Sequence, residues 1–241
     1  MAQDYLNSKE NKDKEKLGQT VFDSLVAWSF FQDFVKDHNT ATVMRCKMHD
    51  IVSDYVQFIT KKECLITKAK GANREIEVLG SKVRHLTLTS VVDSPTLRSI
   101  TFEYCKNLRT LIIIHLNVDI VYAISQFKCL RTINLSQSSI KELPKEIGEL
   151  IHLRHIDLSR SQNLGKLPDT ICGLCNLYTL DLRRCNSLKK LPGNMGKLTS
   201  LKHLYVGLSG LEYLPKEIES LTNLHTLDVC TLVSIDNGEA F

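Results

Sequence analysis

The hydrophobic positions between residues 130 and 229 follow one recurring pattern, in which an aliphatic residue is followed by others three and five positions later. Copies begin at Leu130, Leu153, Leu177, Leu201 and Leu224, at intervals of 23 or 24 residues. Alternate side chains of a strand point to the same side, so the second and third members of each copy face inward while the residues between them face solvent. The pattern therefore predicts one short strand per copy.

A Leu-Pro pair lies between successive copies, where proline suits a return segment because it fixes φ and donates no backbone hydrogen bond. One coil cannot bury its own apolar side, so neighbouring coils must stack at about 4.8 Å into a parallel sheet. Less regular copies at Val83 and Leu108 raise the total to about seven. This is a leucine-rich-repeat array, an α/β solenoid with parallel strands on its concave face, expected over residues 83–241 and open at the C-terminus. The pairs are Leu143-Pro144, Leu167-Pro168, Leu191-Pro192 and Leu214-Pro215.

A different pattern precedes the array. Apolar residues between 17 and 29 fall at helical spacing, and a turn at residues 37–40 separates two short strands expected at 32–36 and 42–47. Asp50 is placed to cap a second amphipathic helix. A helix, a two-stranded wing and a further helix have the order of a winged helix.

The boundaries of this first part follow from composition. Residues 64–67 read as a last strand of the winged helix, and the polar residues after them read as a link. We therefore expect a partial winged-helix (α+β) domain at 1–68, a linker at 69–82 and the repeats at 83–241.

Composition narrows the class of protein. The chain has 241 residues, of which 43% are hydrophobic and 24% charged, and its net charge of +4 gives no general argument for nucleic acid. Neither a signal peptide nor a membrane-spanning run is evident, so a cytoplasmic location is expected, with the eight cysteines as reduced thiols. Cys172 and Cys175 imitate a metal or redox pair but occupy ordinary repeat positions, so no metal is expected.

One short motif makes the interpretation more specific. Met48-His49-Asp50 resembles the Met-His-Asp motif that closes the nucleotide-binding (NB-ARC) region of plant intracellular disease resistance proteins of the nucleotide-binding, leucine-rich-repeat type, coiled-coil class. The segments at 29–34 and 1–6 also resemble the winged helix of that family. The likeness covers nearly the whole chain and implies a part in plant defense and innate immunity.

The resemblance also concerns a cofactor. It implies that His49 contacts the phosphate of ADP, with Asp50 in support, in an intact receptor that binds ADP or ATP. This sequence contains no G-x-x-x-x-G-K-[ST] phosphate loop, and the nearest imitation, at residues 193–199, has the wrong glycine spacing. We therefore expect no cofactor in this chain, which reads as a piece of a longer receptor. The alternative for His49 is capping or packing at a helix start.

The outward positions of the strands form a basic column beside a partly acidic one. A solvated, charge-balanced face is one interpretation of these columns. The other is a patch in which tyrosine and arginine anchor a protein partner, because these side chains are favoured anchors. The candidate partner-binding residues are Arg131, Arg154, Asp157, Tyr178, Asp181, Arg183, Lys202, His203 and Tyr205.

The leading hypothesis is a non-enzymatic recognition and autoinhibitory module of a plant immune receptor. As the resemblance implies, its partners are a pathogen effector or a guarded host protein, and the receptor's own nucleotide-binding domain. Nucleophilic catalysis lacks a triad at a known spacing, and Asp50 and Asp54 disfavour DNA binding by the second helix. The alternatives are a generic Ras-group-like repeat scaffold and an ADP-dependent switch.

Overall fold

The computed structural model describes seven ranges of the chain, which form two compact units, residues 3–62 and residues 63–241. The turn predicted at 37–40 and the segment at 1–6 lie outside the described residues, as does all but the last residue of the linker predicted at 69–82. The described ranges are 11–36, 43–60, 63–68, 82–89, 105–113, 124–229 and 234–235.

The first unit has the predicted order of a helix, two strands and a helix. Its elements are α1 (Asn11–Ala27), β1 (Phe31–Lys36), β2 (Val43–Met48) and α2 (Asp50–Thr60). The two strands pair antiparallel, with Phe31 opposite Met48. Helix α1 begins earlier than the prediction of residue 17, because the three lysines and the one glutamate among residues 12–16 are good helix formers.

Ring stacking and backbone hydrogen bonds hold the first unit together. The rings of Phe22 on α1 and Phe31 on β1 stack with centroids 5.4 Å apart. The His49 N–H donates to the Phe30 carbonyl at 2.8 Å, and the Ser53 N–H donates to the His49 carbonyl at the same distance. These bonds fix the point at which α2 leaves the strands.

Helix α2 is amphipathic, and none of its described side chains is buried within this chain. Its large apolar residues Ile51, Tyr55, Phe58 and Ile59 are all more than half exposed. Asp50 is the first helical residue rather than the residue before the helix, and its carboxylate lies 2.9 Å from the Lys47 ammonium. The predicted capping position of Asp50 was therefore one residue too late, although a carboxylate in the first turn still favours the helix.

The second unit is an eight-stranded sheet of parallel strands in the order β11-β9-β8-β7-β6-β5-β4-β3. Seven of these strands are the seven predicted copies, so the predicted solenoid with parallel strands is confirmed. Two further short strands, β10 and β12, pair parallel with each other. The strands are β3 (Cys64–Lys68), β4 (His85–Thr89), β5 (Thr110–Ile113), β6 (Thr132–Asn134), β7 (His155–Asp157), β8 (Thr179–Asp181), β9 (His203–Tyr205), β10 (Tyr213–Leu214), β11 (Thr226–Asp228) and β12 (Ser234–Ile235).

Strand β3 corrects one prediction. Residues 64–67 were expected to end the winged helix, but β3 pairs parallel with β4 from Cys64 opposite His85 to Lys68 opposite Thr89. The inward side chain of Leu65 is buried among the core residues of the repeats, while Ile66 faces outward. A strand of the repeat sheet thus precedes the first recognisable repeat.

The core of the second unit is formed by the aliphatic positions of the repeats. The middle residue of each of the strands β6 to β9 and the first leucine of each described repeat from Leu108 to Leu201 are essentially inaccessible to solvent. Three return segments follow Pro144, Pro168 and Pro215, whose φ angles lie between −70° and −63°. The return segments are short 3₁₀ helices at Lys145–Glu149, Asp169–Gly173, Met195–Lys197 and Lys216–Ser220.

Candidate functional site

The outward side of the repeat sheet, which we call the outer sheet face, carries the predicted partner-binding residues. The register aligns Asp157, Asp181 and Tyr205 across β7, β8 and β9, and it aligns His155 with His203 through Thr179. Arg154, Tyr178 and Lys202 occupy the position just before the same strands. The sheet therefore brings the predicted residues into neighbouring columns on one surface.

Arg183 and Asp181 form a forked ion pair at the end of β8. The Arg183 Nε lies 3.0 Å from Oδ1 and 3.1 Å from Oδ2 of Asp181, and Nη2 also bonds Oδ2. Asp181 is buried, whereas the Arg183 side chain is 40% exposed. The hydrogen bond to Asp181 raises the pKa of Arg183 above its ordinary value. The pair thus neutralises a carboxylate that solvent scarcely reaches.

Aromatic rings continue the surface from this ion pair. The guanidinium of Arg183 lies 4.8 Å from the ring centroid of Tyr205, and the His203 and Tyr205 rings stack at 6.2 Å. One repeat earlier, Arg154 lies 5.7 Å from the ring of Tyr178. Burial raises the pKa of the Tyr205 phenol above its ordinary value. A guanidinium over an aromatic ring is attracted to it, so these contacts favour the stacked arrangement in the unbound chain.

Asp157 has a role that the sequence did not reveal. Its Oδ1 accepts the Ser159 N–H at 2.9 Å, and its Oδ2 accepts the side-chain amide of Asn134 at 2.9 Å. Asp181 likewise accepts the N–H of Arg183, two residues later, at 3.0 Å. These are turns closed by an aspartate side chain. Both carboxylates predicted to contact a partner are therefore engaged in shaping the chain after a strand.

The basic column is partly covered. Arg131 and Arg154 are half-buried, and Lys202 is only 8% exposed. A lysine can bury its aliphatic stem along neighbouring side chains while its ammonium group reaches water. Tyrosines and arginines with the larger exposed area, rather than Lys202, are thus the residues that a partner can reach first.

Histidine is the first residue of three strands of the sheet: His85 on β4, His155 on β7 and His203 on β9. His85 contacts the Thr110 hydroxyl through Nδ1 at 2.9 Å, and His203 contacts Thr226 in the same way at 3.1 Å. Burial holds the pKa of both His85 and His155 below the ordinary value of 6.5. Each of these two side chains is consequently more basic in the unfolded chain than in the folded one.

We expect the stability of the repeats to fall as the pH drops below about 6.5. A histidine whose pKa is lower in the folded chain than in the unfolded chain binds a proton first in the unfolded chain. Each of the two histidines therefore lowers the free energy of unfolding by at most about 1.4 kcal/mol for each pH unit. His155→Gln should make the free energy of unfolding depend less steeply on pH, with only the contribution of His85 remaining. Urea unfolding between pH 5 and 8 measures this pH dependence, and the substitution His152→Gln at an exposed position is the control. An unchanged slope in His155→Gln would contradict the expectation.

His49 and Asp50, the predicted nucleotide contacts, occupy the start of α2. His49 is half-buried; its N–H donates to the Phe30 carbonyl next to the strand pair, and its carbonyl accepts a hydrogen bond from Ser53 in the first turn of α2. The hydrogen bond from Lys47 lowers the pKa of the Asp50 carboxyl, which is largely exposed. The described contacts of both residues are therefore local to the helix start.

Cys172 and Cys175 differ in environment. Cys172 is 2% exposed and burial raises its pKa to about 11, while Cys175 lies at the surface. A buried thiol with a raised pKa packs as a small apolar group and does not supply a thiolate. No group of three or more potential metal ligands occurs within the described part of the chain.

Two family models match the chain. One, described as a leucine-rich repeat region, matches residues 107–239, and the other, described as the winged-helix domain of disease resistance proteins, matches residues 1–56. The second match agrees with the position of the Met-His-Asp motif, which the sequence places at the start of α2.

Two curated relatives come from Solanum bulbocastanum. The putative disease resistance protein RGA1 is 31% identical over 161 residues, which are 66% of this chain and 13% of that protein. Disease resistance protein RGA2 is 35% identical over 153 residues, which are 63% of this chain and 13% of that protein. The chain thus spans a small part of the length of the relatives that it matches.

One solved repeat structure shares the fold, and a second is similar in sequence. The plant peptide hormone receptor RGFR1, solved in complex with RGF2, has a TM-score of 0.50 and 20% identity, covering 84% of this chain and 29% of that one. A leucine-rich-repeat protein of Leptospira interrogans is 29% identical, with a TM-score of 0.49, over 69% of this chain and 48% of that one.

No described helix of this chain is long and apolar enough to cross a membrane. The repeat region shows that the chain belongs to the leucine-rich-repeat family, and its first segment is similar to the winged-helix domain of disease resistance proteins.

Proposed function

We propose that the outer sheet face is the protein-binding surface of a plant immune receptor. The observation that carries this proposal is the cluster of Tyr178, Tyr205, Arg154 and Arg183, held by mutual stacking and by the Asp181 ion pair. Tyrosine and arginine supply much of the binding energy in protein interfaces. Because these contacts favour one arrangement of the side chains before binding, less conformational entropy is lost when a partner docks.

Two kinds of partner fit the receptor's role. A pathogen effector or a guarded host protein would bind the outer sheet face to signal infection. In the resting receptor, the repeats would hold its nucleotide-binding domain inactive, so that this domain is the intramolecular partner. The chain itself acts without catalysis, as a recognition and restraint module. A cytoplasmic setting suits the buried thiols of Cys105, Cys172 and Cys185, which pack in the core as free cysteines.

The resting-state interaction gives a direct test with a defined partner. The chain is titrated with the separately expressed nucleotide-binding domain of the same receptor, and binding is measured by calorimetry. The double variant Tyr178→Ala/Tyr205→Ala is expected to bind roughly 30-fold more weakly, because each anchor is worth about 1 kcal/mol or more.

A matched control uses a tyrosine elsewhere in the repeats. Tyr213 lies on β10, outside the main sheet, and the ammonium nitrogen of Lys190 lies 5.7 Å from the centroid of its ring, in a similar contact between a cation and an aromatic ring. Tyr213→Ala should leave the affinity unchanged. Equal affinities for the double variant and the unmodified chain, or a loss confined to Tyr213→Ala, would refute the assignment of the surface.

A nucleotide switch in this chain alone is the competing hypothesis, and the position of His49 at a helix start is its support. It requires that ADP bind the chain with useful affinity. Calorimetry with ADP should give no heat beyond dilution, and ATP turnover abolished by His49→Ala would establish the switch instead.

A further inference from the structure

A polar groove of about 720 Å³ lies at the edge of the repeat sheet where the strands end. It is lined by the turns that follow β6, β7, β8 and β9, so it extends across four consecutive repeats. Its residues are distinct from the tyrosine and arginine cluster of the outer sheet face. The most prominent lining side chains are Arg160 and Arg184, accompanied by the amides of Gln162, Asn163 and Asn186.

The backbone under this groove repeats from coil to coil. One residue in each turn has a left-handed conformation, which glycine adopts most readily and long side chains adopt seldom. The Arg160 N–H donates to the Arg183 carbonyl at 2.7 Å, which binds the turn of one coil to that of the next. Arg160 and Arg184 therefore stand on adjacent coils, about 4.8 Å apart in the stacking direction. The left-handed residues are Gln137 (φ 58°), Arg160 (61°), Arg184 (58°) and Leu208 (57°).

The charge of the groove is uncompensated among its described neighbours. Both arginines are exposed, and no described carboxylate lines the groove or forms an ion pair with either guanidinium. Arg183, by contrast, is occupied by Asp181. Two available guanidinium groups on neighbouring coils form a site for an anion with several oxygens.

The chemistry of the lining selects the kind of anion. A phosphate monoester carries close to two negative charges and three acceptor oxygens, which suits two forked guanidinium groups better than a single carboxylate does. The amide side chains both donate and accept hydrogen bonds, as a peptide backbone does.

We propose that this groove binds a phosphorylated side chain within an extended segment of a partner protein. The two arginines hold the phosphate, and the flanking amides pair with the peptide backbone on either side of it. This site does not depend on the function assigned to the outer sheet face, and the two proposals can fail separately.

The test measures binding of the whole chain to an immobilised degenerate peptide library with a fixed central phosphoserine, compared with the same library containing serine. The phosphoserine library should bind at least tenfold more tightly. In Arg160→Gln/Arg184→Gln this binding should weaken by about 100-fold, because two charge-assisted contacts are lost. Equal binding of the two libraries, or unchanged binding by the double variant, would overturn the proposal.

Controls separate charge, folding and ligand class. Lys106→Gln/Lys216→Gln removes the same charge at exposed positions outside the groove and should bind normally. Arg160→Lys/Arg184→Lys keeps the charge without the forks and should show an intermediate loss, and it serves as the test variant should the glutamine variant not fold. Tyr178→Ala/Tyr205→Ala should retain phosphopeptide binding. Binding of inositol hexakisphosphate without any phosphopeptide binding would reject a protein partner for this groove.

Discussion

Leu180→Ala is expected to lower the free energy of unfolding of the repeats by about 2–5 kcal/mol. Leu180 is the middle residue of β8, is fully buried, and is aligned with Ile156 on β7 and Leu204 on β9. Each repeat depends on its neighbours for burial, so a cavity at this position weakens the interfaces on both sides. Urea unfolding followed by circular dichroism measures the change.

The matched control for Leu180→Ala is a substitution at the same position of a later repeat. Leu227 is the middle residue of β11 but is 40% exposed. Because it has less burial to lose, Leu227→Ala should cost under about 1 kcal/mol. Equal losses in the two variants would mean that burial within the repeats does not set their stability.

Gly210→Ala should be comparably damaging for a different reason. An added Cβ would lie 1.9 Å from the carbonyl oxygen of Asn186 and 2.8 Å from its carbonyl carbon. These are backbone atoms of the preceding coil, and the Gly210 N–H also donates to the Cys185 carbonyl at 3.0 Å. The coils must separate locally to admit the methyl group, at an expected cost of about 3 kcal/mol.

A second glycine tests whether this cost comes from contact or from loss of glycine itself. Gly173 ends a return segment, and no atom lies within 4 Å of the place that an added methyl group would occupy. Gly173→Ala should be neutral or should stabilise by about 0.4–1 kcal/mol, because it restricts the unfolded chain. Thermal unfolding of both variants decides the matter. A similar loss in both would contradict the explanation by close contact.

The period of the leucines was sufficient to predict the sheet, because each strand repeats the same spacing and parallel stacking is the way to bury it. Strand β3 was predicted as a strand but assigned to the winged helix, since Cys64–Lys68 lacks that spacing and shows only a brief alternation, which also suits a winged-helix strand. What places it in the repeat sheet is pairing with β4, a contact between segments separated by the linker.

The candidate surface was predictable in its columns but not in its hydrogen bonds. Register alone places Asp181 beside Tyr205, yet it does not show that Asp181 is buried beneath Arg183. The left-handed turns were also hidden, because Arg160 and Arg184 occupy a conformation for which the sequence rules expect glycine. Such details depend on side-chain geometry within a turn, which a hydrophobic period does not encode.

The pairing of β3 with β4 determines where the repeats can be separated for biochemical work. Cutting the gene just before residue 83, where the leucine spacing first becomes visible, would remove Leu65 from the core cluster that also contains Leu86 and Leu88, so that the new end of the sheet combines unpaired backbone groups with uncovered apolar side chains. An apolar strand edge of this kind recruits strands from other molecules. A truncated repeat protein should therefore start at Glu63, and one starting later should precipitate.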